Sequence, residues 1–161
     1  MSTAVLSIGS NLGDRLGHLR GCVEAFEPWL ITVSDVYETA PWGPVPQDDF
    51  LNAIVLVSDP AATARDWLDR AHAAERAAGR TREVHWGPRT LDVDVIAVDL
   101  VRSTDPSLTL PHPHAHERAF VLVPWAQADR HAVLDGHGPV RGLLETLDTT
   151  GVRHRPDLEL G

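Results

Sequence analysis

The stretch Leu91-Asp-Val-Asp-Val-Ile-Ala-Val98 decides the reading of the fold. It is an apolar run of strand length interrupted only at Asp92 and Asp94, and residues two apart in a strand share a face. At ~3.3 Å rise per residue their Cα atoms lie about 6.6 Å apart, so both carboxylates project together. Trp86-Gly-Pro-Arg-Thr90 runs directly into this segment, placing a rigid aromatic and an arginine just ahead of the acidic pair.

This segment is the last of four strand candidates in the first hundred residues. Residues 4–8 form a short apolar strand ended by the turn formers Gly9-Ser-Asn-Leu-Gly13. Asp14 then caps a helix whose Leu16, Leu19, Val23 and Phe26 recur at helical spacing up to Pro28. Residues 31–38 alternate loosely as a second strand. The segment 39–49 is too rich in proline and glycine for a regular element, and loops of that length are often functional. Residues 50–57 give a third strand. A second helix follows Pro60, with Ala64, Trp67, Leu68, Ala71 and Ala74 as its apolar stripe.

The resulting order, β-α-β-β-α-β, predicts an α+β fold of the ferredoxin-like kind, an antiparallel sheet with both helices on one face. C-terminal additions follow: a short strand near 108–110, a helical turn from His116 and a helix near 142–147. The whole range 1–161 reads as a single domain, long enough to bury a core without disulfides or a structural metal. The lone cysteine, Cys22, falls in a helical pattern and reads as a small buried residue.

A formal net charge of −9 argues against a general nucleic-acid binder, which needs a basic face. No apolar run approaches the roughly 20 residues that span a bilayer. The first residues carry no basic segment of a secretory signal, so a cytoplasmic protein without membrane contacts is expected. The chain contains no lysine, which excludes the Walker P-loop and leaves arginine as the cation available for phosphate.

Burying the even face of 91–98 would cost several kcal/mol per unpaired carboxylate, so Asp92 and Asp94 must meet water, cations or ligands. A solvated sheet edge is one reading. The other is magnesium, which uses one or two carboxylates together with water and substrate phosphates, and two ions about 3.5–4 Å apart suit such a pair. Arg80, Arg82, Arg89 and Arg118 would surround the pair if the segment after Gly79 folds over it; Arg80 and Arg82 alone would read as a hydrated loop.

His112, His114 and His116 alternate, but neighbouring prolines and the lack of a matching cysteine disfavour zinc. His112 suits a hydrogen bond to phosphate, with Arg118 nearby. Trp42, Phe50, Trp86 and Phe120 are core or ligand aromatics; rings on loops can sandwich a planar heterocycle. Asn52, on the strand face of Phe50, offers donors and an acceptor to the edge of such a ring.

Six segments, IGSNLGDR, YETAPWGP, FLNAIV, GRTR, WGPRTLDVDV and LPHPHAHERAFVL, stand in one order along the chain. Together they resemble the 6-hydroxymethyl-7,8-dihydropterin pyrophosphokinase family of folate biosynthesis, over most of the chain, and that family's fold is also ferredoxin-like. The resemblance implies transfer of the β,γ-pyrophosphoryl group of ATP to the pterin hydroxymethyl oxygen, releasing AMP.

The resemblance also assigns roles. Asp92 and Asp94 would ligate two magnesium ions, and Asp94 would assist loss of the hydroxyl proton. Arg80 and Arg82 fall on a closing catalytic loop, and Arg89 is a further catalytic arginine. The ATP contacts are His72, Arg82, Trp86, Arg89, Val95, Thr109, His112 and Arg118. The pterin contacts are Thr39, Ala40, Trp42, Phe50, Asn52, Trp86, Asp92 and Phe120. Glu75 matches a helical position behind the loop. The partners implied are ATP and the pterin, and a monomer is expected.

Departures from the family pattern fall around the nucleotide and the loop. The span between Arg82 and Trp86 is one residue shorter than in relatives. Ala40 replaces a common proline, Phe50 a common tyrosine, His72 a frequent glutamine, and Ser107 an arginine. The same element order also builds RNA-recognition and regulatory binding modules, but those need central-strand aromatics and a basic surface, and here the fourth strand carries two aspartates. A homologue that binds pterin or nucleotide without turnover is the third reading.

Overall fold

The structure, a computed structural model, describes residues 2–41, 46–79 and 90–160. The first strand, β1 (Ser2–Ser10), leads through a short turn into α1 (Arg15–Phe26). Asp14 caps this helix, its carboxylate accepting from Gly17 N at 3.0 Å. The chain returns through β2 (Leu30–Val33) and β3 (Val36–Thr39), then β4 (Phe50–Asp59).

Helix α2 (Ala64–Ala77) starts at a capping box, in which Thr63 and Asp66 each bond the other's backbone N–H. β5 (Asp92–Val98) closes the main sheet. A small hairpin, β6 (Ser103–Asp105) with β7 (Leu108–Leu110), precedes α3 (Ala119–Ala128). Then come β8 (Val133–Leu134), β9 (Gly138–Pro139), α4 (Val140–Leu144) and β10 (Arg153–Arg155).

The main sheet runs β10-β3-β4-β1-β5, with β2 also paired to β4, and all its pairings are antiparallel. This is the expected ferredoxin-like α+β order, extended at one edge by β10. The expected second strand is two. Between them Ser34 N donates to Ile54 O, while the Ser34 hydroxyl accepts from Ile54 N, each at 2.8 Å. The serine side chain thus takes the place of a backbone acceptor, and the regular ladder stops there.

Both sheet faces are covered, whereas the sequence reading placed helices on one. On the first face, Ala4, Leu6 and Ile8 of β1, Ala53, Val55 and Val57 of β4, and Val93 and Val95 of β5 pack with Leu19, Phe26, Trp67 and Ala71 of α1 and α2. On the second, Ile54, Leu56 and Ile96 pack with Val121, Leu122 and Trp125 of α3 and Val140 of α4. Helix α3 lay beyond the expected helical turn because it is apolar all round and contains Pro124, so it shows no amphipathic stripe.

Alternation along the strands divides that second face. Its Ile54, Leu56 and Ile96 half is covered by α3 and α4, while two to four residues further along the same face lie Asn52 and Phe50, Asp94 and Asp92. On β1 the same polar half carries Ser7 and Gly9. The cross-strand register aligns Gly9 with both Asn52 and Asp92, and Ser7 with Asp94. That uncovered polar half is the floor of the candidate site.

Candidate active site

A cavity of about 340 Å³ opens on this floor, large enough for a small heterocycle. Ser7, Gly9, Asn52, Asp92 and Asp94 come from the sheet, Thr39, Ala40 and Gln47 from the chain around β3, and Phe50 and Phe120 supply rings. Asn52 is 4% exposed and its Nδ2 donates to Thr39 Oγ1 at 2.7 Å, which fixes the orientation of the amide. Gly9 allows this close approach: a Cβ there would lie 3.0 Å from Asn52 Oδ1.

A second cavity, of about 420 Å³, lies on the other side of the acidic pair. Leu68, His72 and Glu75 reach it from α2, Pro106, Ser107, Leu108 and Thr109 from the β6–β7 hairpin, and His112, Pro113 and Arg118 from the segment leading to α3. Asp92, Asp94 and Arg118 line both cavities. Two carboxylates and a guanidinium therefore form a common wall between two ligand-sized spaces.

The strand that carries this wall is the edge of the main sheet. Glu75, 4% exposed, accepts from Val93 N at 3.0 Å, between the two aspartates. A buried edge N–H left without a partner would be costly, so this carboxylate holds the strand from its outer side.

His112 is fixed from two sides. Its backbone N–H donates to Ile96 O at 2.8 Å, and its ring Nδ1 accepts from the backbone N–H of His114 at 3.2 Å. The single proton of the neutral ring therefore sits on Nε2. Burial, reinforced by the positive charge of Arg118 and by His114 and opposed by Asp92, lowers the imidazole to about 4, so the ring is a neutral donor near pH 7.

The structure thus brings Thr39, Ala40, Phe50, Asn52 and Phe120 to the first cavity, His72, Val95, Thr109 and His112 to the second, and Asp92, Asp94 and Arg118 to both. Trp42, Arg80, Arg82, Trp86 and Arg89 lie outside the described residues, as does the short span after Arg82. Sequence reasoning missed Ser7, Gly9, Gln47, His114 and Glu117 in the first cavity. For Ser7 and Gly9 a signal existed, small residues alternating with apolar ones along the first strand.

The chemistry of the wall suits a hard cation. Two half-buried carboxylates share one strand face and line both cavities. Two carboxylates are what magnesium takes from a protein when phosphates and water complete its shell.

The family model for 7,8-dihydro-6-hydroxymethylpterin-pyrophosphokinase (HPPK) matches residues 5–130. The chain belongs to this pyrophosphokinase family. A relative from Mycobacterium tuberculosis, named 2-amino-4-hydroxy-6-hydroxymethyldihydropteridine pyrophosphokinase, is 47% identical, covering 99% of this chain and 94% of the relative. A relative of the same name from Methylorubrum extorquens is 43% identical over 94% and 98% of the two chains. Among solved structures, Plasmodium falciparum HPPK-DHPS with pteroate superposes with a TM-score of 0.69 at 11% identity. That match covers 89% of this chain and 44% of the larger Plasmodium chain, and it speaks to the pyrophosphokinase fold.

Proposed function

We infer that this member of the HPPK family transfers the β,γ-pyrophosphoryl group of ATP to the hydroxymethyl oxygen of 6-hydroxymethyl-7,8-dihydropterin. The hydroxyl oxygen bonds to the β-phosphorus, the bond from that phosphorus to the α,β-bridging oxygen breaks, and AMP leaves while the hydroxyl proton is released. The observation that carries this reading is the common wall: Asp92, Asp94 and Arg118 line both cavities, where two substrates must meet.

The first cavity suits the pterin. Phe50 and Phe120 offer rings to its faces, while Asn52, held by Thr39, presents an amide to its polar edge. The second cavity suits the nucleotide. Thr109, His72 and Val95 lie along it, and His112 and Arg118 donate toward phosphate oxygens near the wall. Such preorganised donors act on charge that develops as the pyrophosphoryl group moves.

Asp92 and Asp94 would hold two magnesium ions, which when bound neutralise phosphate charge and align the triphosphate. Asp94, which lines both cavities, would also assist loss of the hydroxyl proton. Arg80, Arg82 and Arg89 complete the phosphate clamp, and Trp42 and Trp86 complete the pterin pocket. These five roles rest on their places in the family motifs.

Residues 1–161 read as a single pterin pyrophosphokinase domain, a cytoplasmic monomer acting on small molecules; chain length supports the single domain, and membership of the family supports the substrates. Among the described residues no helix is long and apolar enough to cross a membrane. The test of the function is AMP release from ATP, magnesium and 6-hydroxymethyl-7,8-dihydropterin. Pterin-dependent AMP formation is expected; pterin binding without AMP above background would overturn the reading.

A further inference from the structure

The edge strand β10 lies beyond residues 5–130, the part of the chain that matches the family model. It pairs with β3, aligning Arg153 with Glu38 and Arg155 with Val36. Glu38, its side chain 14% exposed, gathers cations from two distant parts of the chain. Arg15 Nη1, at the start of α1, lies 2.7 Å from its carboxylate, and Arg155 Nη1 lies 2.8 Å from it. Arg153 stands 3.6 Å away.

Two of these arginines, Arg15 and Arg153, also hold Asp49, the last of residues 46–49, which precede β4 without regular structure. Arg15 Nη1 also donates to Asp49 O at 2.9 Å, and Arg153 pairs with the Asp49 carboxylate. From the turn after β1, Asn11 Nδ2 donates to Gln47 Oε1 at 2.7 Å and to Asp48 O at 3.0 Å. Gln47 lines the first cavity, and Phe50, which follows Asp49, supplies one of its rings. Three separate elements thus tie one short segment to the cavity wall. An irregular segment has no ladder to fix its carbonyls, so charge-assisted donors from outside decide where it sits.

We propose that Arg15, Glu38, Asp49, Arg153 and Arg155 form a positioning network, through which α1 and the C-terminal strand set Gln47 and Phe50 for the pterin. It rests on the reading of the first cavity as the pterin site. None of these five residues lines either cavity, so the network acts through Gln47 and Phe50 and favours the pterin over the nucleotide.

The experiment compares equilibrium binding of 6-hydroxymethylpterin, followed by its fluorescence, with binding of α,β-methylene-ATP. In the Arg15→Met, Arg153→Met double variant, pterin binding should weaken about tenfold, the scale of losing hydrogen bonds to charged groups, while nucleotide binding changes less than about twofold. Arg15→Lys with Arg153→Lys should recover most of the loss, since lysine keeps the charge. Asp49→Asn removes only the half-exposed Arg153 pair and should weaken pterin binding about twofold to threefold, which guards against a double variant that fails to fold. Unchanged pterin binding in a folded variant, or equal loss of both ligands, overturns the network. A wild-type protein that fails to bind the pterin overturns the cavity reading instead, and one that binds without forming AMP overturns only the turnover.

Discussion

Glu75 on α2 accepts a hydrogen bond from the backbone N–H of Val93 at 3.0 Å, between the two aspartates of the common wall. The carboxylate belongs to a buried side chain on the face that meets the outer edge of β5, so the helix fixes the strand that displays Asp92 and Asp94.

Glu75→Ala would leave that buried N–H without its acceptor, at a cost of about 1–3 kcal/mol. Glu75→Gln keeps a carbonyl oxygen in place and should retain most of the stability. Denaturant titration of both variants, paired with AMP release, checks this. Equal stability of the alanine variant and the wild type would show that the bond does not hold the strand.

Gly9→Ala should weaken pterin binding more than nucleotide binding. The new methyl would stand 3.0 Å from Asn52 Oδ1 and 3.5 Å from Phe50 Cδ1, so the amide that Thr39 fixes must shift by a few tenths of an ångström. A raised KM for the pterin beside an unchanged KM for ATP is the expected pattern; unchanged pterin kinetics would place the substrate elsewhere.

His112 should remain neutral, with its proton on Nε2, down to about pH 4 in the free protein. Because the folded ring is harder to protonate than an unfolded histidine, stability should decline as pH falls from about 6.5 toward the folded value and be insensitive to this group above that window. Imidazole nitrogen shifts followed through a pH titration check both statements. A ring that charges near pH 6.5 would contradict the burial argument.

The sign at Glu38 is that of a carboxylate. Its hydrogen bond to Arg15 holds the carboxyl below the usual carboxylate range against the opposing effect of burial, with Arg155 adding to the lowering. Its contribution is present above the unfolded carboxylate value and is lost as pH falls through the lowered folded one. Glu38→Gln should therefore be less stable than the wild type at pH 7, with the gap closing in acid. Parallel stability curves from pH 7 down to about pH 3 would refute the assignment.

Much of this arrangement was legible because strand period 2 and helix period 3.6 leave direct marks. Alternation placed Asp92 with Asp94 and Phe50 with Asn52 on shared faces, and the stripe of Trp67, Ala71 and Ala74 placed α2 on the core. Register left no such mark. The irregularity between Val5 and Leu6 pairs Leu6 with Val95 but Val5 with Ala97, so Val98 joins Val93 and Val95 in the first core although plain alternation would set it beside Ile96, and no local pattern announces it. The Glu38 cluster was invisible for a related reason: Arg15, Glu38, Asp49 and Arg153 meet only once β10 has paired with β3.

In the proposed reaction one acidic wall serves two substrates. Magnesium-dependent AMP formation by Asp92→Ala and Asp94→Ala, measured with ATP and 6-hydroxymethyl-7,8-dihydropterin on protein shown to be folded by circular dichroism, tests it most directly. AMP formation at background is expected for each variant. Near wild-type AMP formation by either would contradict it.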